Sequence, residues 1–192
     1  MLIGMVDSGI DITHPDLAGK LQGFKIFNEF GEDSGDTPRD DYPTILGGSG
    51  HGTCVAGIII GGNASGKYTG LAHEAKMLVS SFNVHSTANP GKAFPSKEAL
   101  VSSYEWMADP DGNPATADGV HVVSGSYGGP QSDAYIPFAK AMFQNNIVVV
   151  NALGNSGPMY ETTVSPGNIP KYVIGVGAGR PGPSRGILYM QD

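Results

Sequence analysis

Residues 2–6, LIGMV, form an unbroken apolar run that ends at the carboxylate of Asp7. A short run without polar alternation suits a strand buried on both faces. Similar runs recur at residues 75–82 (AKMLVSSF), 120–126 (VHVVSGS), 147–152 (IVVVNA) and 171–178 (KYVIGVGA). Between them the spacing turns helical. Residues 53–60 read as a buried helix stopped by Gly61 and Gly62. Residues 95–109 place Leu100, Val101, Tyr104 and Met107 on or near one face, with Pro95 near the start and Asp109-Pro110 at the end. Residues 132–146 carry Pro137 close to the first turn of a third helix. Residues 9–21 read as turn-rich, and residues 31–50 as a polar loop holding Glu32, Asp33, Asp36, Asp40 and Asp41.

Strands that alternate with helices and are continuously apolar predict an α/β fold: a mainly parallel sheet with helices on both faces. Ligand sites of such sheets gather beyond the carboxyl ends of the strands. Asp7, Ser126 and Asn155 each follow a predicted strand, so all three belong to that edge.

Composition narrows the functional classes. With 192 residues and 40% hydrophobic content, the chain suits one domain with a real core. Eighteen acidic against 11 basic residues give a net charge of -7, the wrong balance for a nucleic-acid surface. No apolar stretch is long enough to span a bilayer. The opening MLIGMV lacks the basic leader of a signal peptide. Cys54 is the single cysteine, so no internal disulfide forms. The 29 glycines and 14 prolines follow no period, which points to tight turns and close backbone approaches.

Three positions carry candidate chemistry. Asp7 at a strand end can be held by neighbouring backbone N–H groups, or can simply cap the next turn. His51 lies between Gly50 and Gly52 at a helix start. A positive imidazole is disfavoured at that end of a helix, so protonation there calls for an acidic partner, which Asp7 could be. The plain alternative is a loop histidine without a task. Asn155 follows a strand beside glycine, where it is either a turn residue or an amide able to donate to a developing oxyanion.

Taken together, VDSGIDITHPDL, GHGTCVAGI, GLAHEAKMLVSSF, VHVVSGSYGG, VVVNALGNSG and VSPGNIPKYVIGVGA resemble the subtilisin-like serine peptidase family, in the family's order. The resemblance covers about residues 2–179 and leaves 180–192 as a divergent tail, so 1–192 reads as one partial catalytic domain of the three-layer subtilisin type. It implies that Asp7 is the triad acid, His51 the general base and Asn155 the oxyanion donor. It implies that Ser126, Tyr127 and Gly128 pair with an extended polypeptide substrate, with Tyr127 able to cover an apolar substrate side chain. Ala152, Leu153 and Gly154 would help shape the main side-chain pocket. Ser165-Pro166 matches a cis X-Pro position. The chemistry needs no cofactor or metal. A structural calcium is conceivable because Asp16 matches a family ligand, but a turn aspartate is the preferred reading. A secreted location is implied.

The nucleophile departs from the pattern. No Gly-Thr-Ser-Met-Ala type motif is present, and Ser184 in PGPSRGI is a poor substitute. The expectation is a serine endopeptidase whose serine-bearing C-terminal segment is missing, as a pro-segment would also be. The alternative is a non-catalytic domain that binds extended peptides or is completed by another chain. Cys54, beside the histidine, reads either as a redox- or mercury-sensitive thiol or, preferably, as a small buried hydrophobe.

Overall fold

A computed structural model describes residues 1–35, 37–40, 50–81, 96–157, 159 and 161–178. Among the described residues six strands form one sheet: β1 (Leu2–Asp7), β2 (Leu21–Ile26), β3 (Lys76–Ser81), β4 (Val122–Gly125), β5 (Val148–Ala152) and β6 (Val173–Val176). Their order is β2-β3-β1-β4-β5-β6, and every pairing is parallel. The helices are α1 (His51–Ile60), α2 (Lys97–Ala108) and α3 (Ile136–Gln144). The α/β expectation and the helices on both faces are therefore met.

Strand alternation sorts the core into two layers. Ile3 and Met5 of β1 join Met77 and Val79 of β3 under Ala56 and Ile60 of α1. Val6, Leu78, Val123 and Val149 point the other way, against Leu100, Tyr104 and Met107 of α2 and Phe138 and Met142 of α3. The register pairs Met5 with Ser124 and Ser124 with Val150. Val148, Val150, Ile174 and Val176 consequently lie on the face that α1 covers further along. There Val148, Ile174 and Val176 remain 43%, 56% and 51% exposed. Half of one sheet face thus lacks a covering layer among the described residues.

Three local readings change. β2 begins at Leu21, where the turn-rich stretch ends, and runs through residues for which the pattern predicts no element. Gly23 interrupts its apolar run, and the strand shifts register against β3 between Leu21 and Gly23, as suits the sheet's margin. α1 begins at His51, two residues before the expected start, and its surface is not wholly buried: His51, Cys54 and Ile58 face out. Cys54 is exposed, which overturns its reading as a buried hydrophobe. The third helix opens with a 3-10 turn, Asp133–Tyr135, before α3. Asp36, Asp41, Phe82, Pro95 and Ser184 lie outside the described residues.

Candidate active site

β1 delivers Asp7 to the carboxyl edge of the sheet, and α1 delivers His51 from its first turn. The two meet: His51 Nδ1 lies 2.7 Å from Asp7 Oδ1. The same oxygen accepts the Ser8 N–H at 2.7 Å. Asp7 is 1% exposed, whereas the His51 side chain is 51% exposed. An ionised carboxylate only accepts, so Nδ1 carries the proton, and the lone pair of Nε2 is left for a substrate or nucleophile.

Burial pushes the Asp7 carboxyl above its ordinary value of 3.8, while bonds from His51 and the Ser8 N–H pull it down by less. Oδ2 is buried with no hydrogen-bond partner among the described residues, consistent with that balance. The folded state therefore holds this proton more tightly than the unfolded chain. The associated stability is complete below pH 3.8 and is lost as pH rises through the raised value. Asp7→Asn keeps an acceptor for Ser8 and removes the charge. Its melting temperature is expected to gain on wild type as pH rises through that window. Paired melts across the acid-to-neutral range check this, and a constant difference between the two proteins would contradict it.

The glycines beside His51 have a structural cause. Gly50 is the N-cap of α1 at φ 97, a left-handed conformation that suits glycine. Gly52 packs against the backbone of Gly9, the residue two beyond Asp7. A hydroxyl and a carboxylate complete this junction. Ser8 Oγ accepts the Gly52 N–H at 2.9 Å. Asp40 Oδ2 accepts the Thr53 N–H at 2.8 Å. Ser8 was legible as Asp7's neighbour; Asp40 stood in a loop of several acids, with nothing local to mark it.

Ser126, Tyr127 and Gly128 leave the end of β4, and Ala152 to Asn155 leave the neighbouring β5. The topology brings both segments to the edge that holds the Asp7–His51 pair. No described contact joins Asn155, which is exposed, to that pair. Gly128 is spaced by its own chain, since a Cβ there would lie 2.0 Å from Val164 Cγ2. The Tyr127 side chain is half-buried, with its hydroxyl turned toward the core. Its hydroxyl lies 2.8 Å from that of Tyr104, which in turn donates to Asn151 Oδ1 at 3.1 Å. Burial raises the Tyr127 phenol well above its ordinary value. Asn151 Nδ2 donates to the Tyr127 carbonyl at 3.3 Å, fastening the β4 exit to β5 from beneath. A lone amide in the apolar run VVVNA was the available sequence signal for this anchor. Leu153 is fixed on both sides: its N–H donates to Val176 O, and its carbonyl accepts from Val164 N. The Ser165-Pro166 bond is cis, as expected.

Asp16 is 7% exposed, and its Oδ1 accepts the Ala64 N–H at 2.6 Å. With the Gly62 N–H on the Asp16 carbonyl, that bond ties the Pro15–Leu17 turn to the segment after α1. Among the described residues, the acidic side chains that converge are Asp109, Asp111 and Asp118, within 4.8 Å of one another. They lie between α2 and β4, at the opposite edge of the sheet from Asp7. No helix among the described residues is long and apolar enough to cross a membrane.

Comparison with known proteins agrees with this fold. The family model described as the subtilase family matches residues 1–184. The major intracellular serine protease of Bacillus subtilis is 32% identical over 163 residues, covering 84% of this chain and 44% of that protein. Serine protease AprX of the same organism is 32% identical over 188 residues, covering 92% of this chain and 37% of that protein. Among solved structures, the S41 psychrophilic protease superposes with a TM-score of 0.69 at 20% identity, over 91% of this chain and 52% of that one. The chain thus spans roughly half or less of the proteins it resembles. One of those relatives is intracellular by name, so family resemblance alone does not assign a compartment. On the extent of the family match and the subtilisin-like fold together, the chain belongs to the subtilase family.

Proposed function

We propose that the protein is a serine endopeptidase that cleaves polypeptides with an Asp-His-Ser triad. Asp7 holds the His51 ring and supports its positive charge. His51 takes the nucleophile's proton as general base and returns it to the leaving amine as general acid. Asn155 donates to the tetrahedral oxyanion. Ser126–Gly128 offers an edge on which an extended peptide adds as a strand, and Ala152, Leu153 and Gly154 wall the pocket for the side chain before the scissile bond. The supporting observation is the 2.7 Å Asp7–His51 bond, with its buried acid and exposed base. A binding module would have no chemical need for that pair.

In this reading the nucleophilic serine lies on a segment outside this sequence. That segment packs over Val148, Ile174 and Val176, which no helix among the described residues covers. Neither a metal nor a cofactor takes part in the proton relay, and the substrate meets the enzyme outside the cell. The bare face also favours a second reading, in which another chain completes the domain.

The test compares this 192-residue chain with the product of its whole natural reading frame. Both are assayed on a mixed peptide library and treated with diisopropyl fluorophosphate. Cleavage and labelling by the longer product alone support the proposal. Labelling of the short chain would return Ser184 to consideration. Peptide binding without cleavage by either product would favour the second reading.

A further inference from the structure

We infer that Asp40 is a positioning residue: its carboxylate fixes where His51 meets Asp7. Each of its oxygens grips one side of the junction. Oδ1 accepts the Ser8 hydroxyl at 2.7 Å, and Ser8 directly follows Asp7. Oδ2 accepts both the N–H and the hydroxyl of Thr53, two residues past His51. Ser8 Oγ closes the circuit by accepting the Gly52 N–H. The strand end that carries the acid and the helix turn that carries the base are thus tied through one side chain.

The helix needs this help. The first N–H groups of a helix have no partner within it. The N-cap of α1 is Gly50, which has no side chain to offer. Ser8 and Asp40 meet the N–H groups of Gly52 and Thr53 from outside, and the negative charge suits the helix's positive end. Asp40 is itself held in place. It forms an antiparallel bridge with Gly9, and the Ile10 N–H donates to Arg39 O at 3.0 Å. The Thr53 hydroxyl also accepts the Asp11 N–H at 2.9 Å, adding a third strand to the knot. Loosening the clamp frees the first turn of α1. His51, as the first residue of that helix, would be the first group displaced.

The test reads the imidazole by nitrogen-15 and proton NMR on the protein from the whole reading frame, so it stands apart from peptide cleavage. Wild type is expected to hold its proton on Nδ1, with a slowly exchanging resonance. Asp40→Ala should broaden or lose that resonance and mix the two tautomers. Asp40→Asn should keep it, because the amide can still accept from Thr53 and donate to Ser8 Oγ without the charge. Ser103→Ala is the control for general destabilisation. It removes a buried hydroxyl from α2 on the other face of the sheet and should leave the resonance in place. An unchanged resonance in Asp40→Ala overturns the inference. So does equal loss in Asp40→Asn, which would make charge the operative property. If Asp40→Ala does not fold, Ser8→Ala decides, since it cuts the link between Asp40 and Gly52. Loss of the resonance supports the clamp, and retention overturns it.

Discussion

His51→Ala, made in the protein from the whole reading frame, is expected to lower kcat for peptide cleavage on the order of a millionfold, with KM changed little. The magnitude is that of subtilisin, the measured type case, where loss of the triad histidine costs that much. In the proposed mechanism one ring performs two transfers. Nδ1 is committed to Asp7, so Nε2 has to receive the nucleophile's proton and later release it. Removing the ring also deprives the buried Asp7 carboxylate of a bond that holds its pKa down. The measurement is steady-state cleavage of a peptide substrate, with covalent labelling to count intact sites. A loss below about a hundredfold, the low end for general-base catalysis, would remove His51 from the role of base.

The second large effect is structural. Gly52→Ala should destabilise the fold by about 3 kcal/mol or more, because backbone and not a flexible side chain blocks the new methyl. Its Cβ would stand 2.1 Å from Gly9 O and 3.0 Å from Gly9 N. Gly9 cannot easily yield: it sits at φ 131, and its own Cβ position lies 2.0 Å from Arg39 O. A fall in melting temperature of roughly 6–12 °C follows for a chain of this size. Gly57→Ala supplies the contrast on the same helix. A Cβ there meets nothing within 4 Å, so that variant should gain a few tenths to about 1 kcal/mol from helix propensity. Thermal melts of the two variants side by side decide the matter. Equal losses would mean that the Gly9–Gly52 crossing is not the constraint.

The strands that make the site were legible because each is short and mostly apolar; β1 and β4 are followed at once by a serine at the sheet edge, and β5 is marked by its β-branched run. Asp7 and His51 were legible for the same reason, since local patterning placed one at a strand end and the other at a helix start. β2 was not, because Gly23 breaks its run and much of its surface stays half-exposed. Asp40 was not, because its significance lies in bonds to Ser8 and Thr53, 32 and 13 residues away in the chain. The inward turn of Tyr127 depends on Tyr104 and Asn151, partners contributed by α2 and β5. Local pattern places a residue on an element; only packing between distant elements says which way it faces.

The central place of β1 bears on how the chain is made. Leu2 pairs with Lys76 on one side, and Ile3 pairs with Val122 on the other. β1 therefore leaves the ribosome before both of its neighbours, and at about 5–20 residues per second the second arrives only after several seconds. In that interval LIGMV is an unpaired apolar strand with two open edges, a template for pairing with other chains. Closing such long loops costs entropy before any contact repays it, so assembly of the sheet is intrinsically slow. α1, which carries His51, packs on β1 and β3, so the helix that brings His51 to Asp7 gains its full bed only when β3 has joined β1.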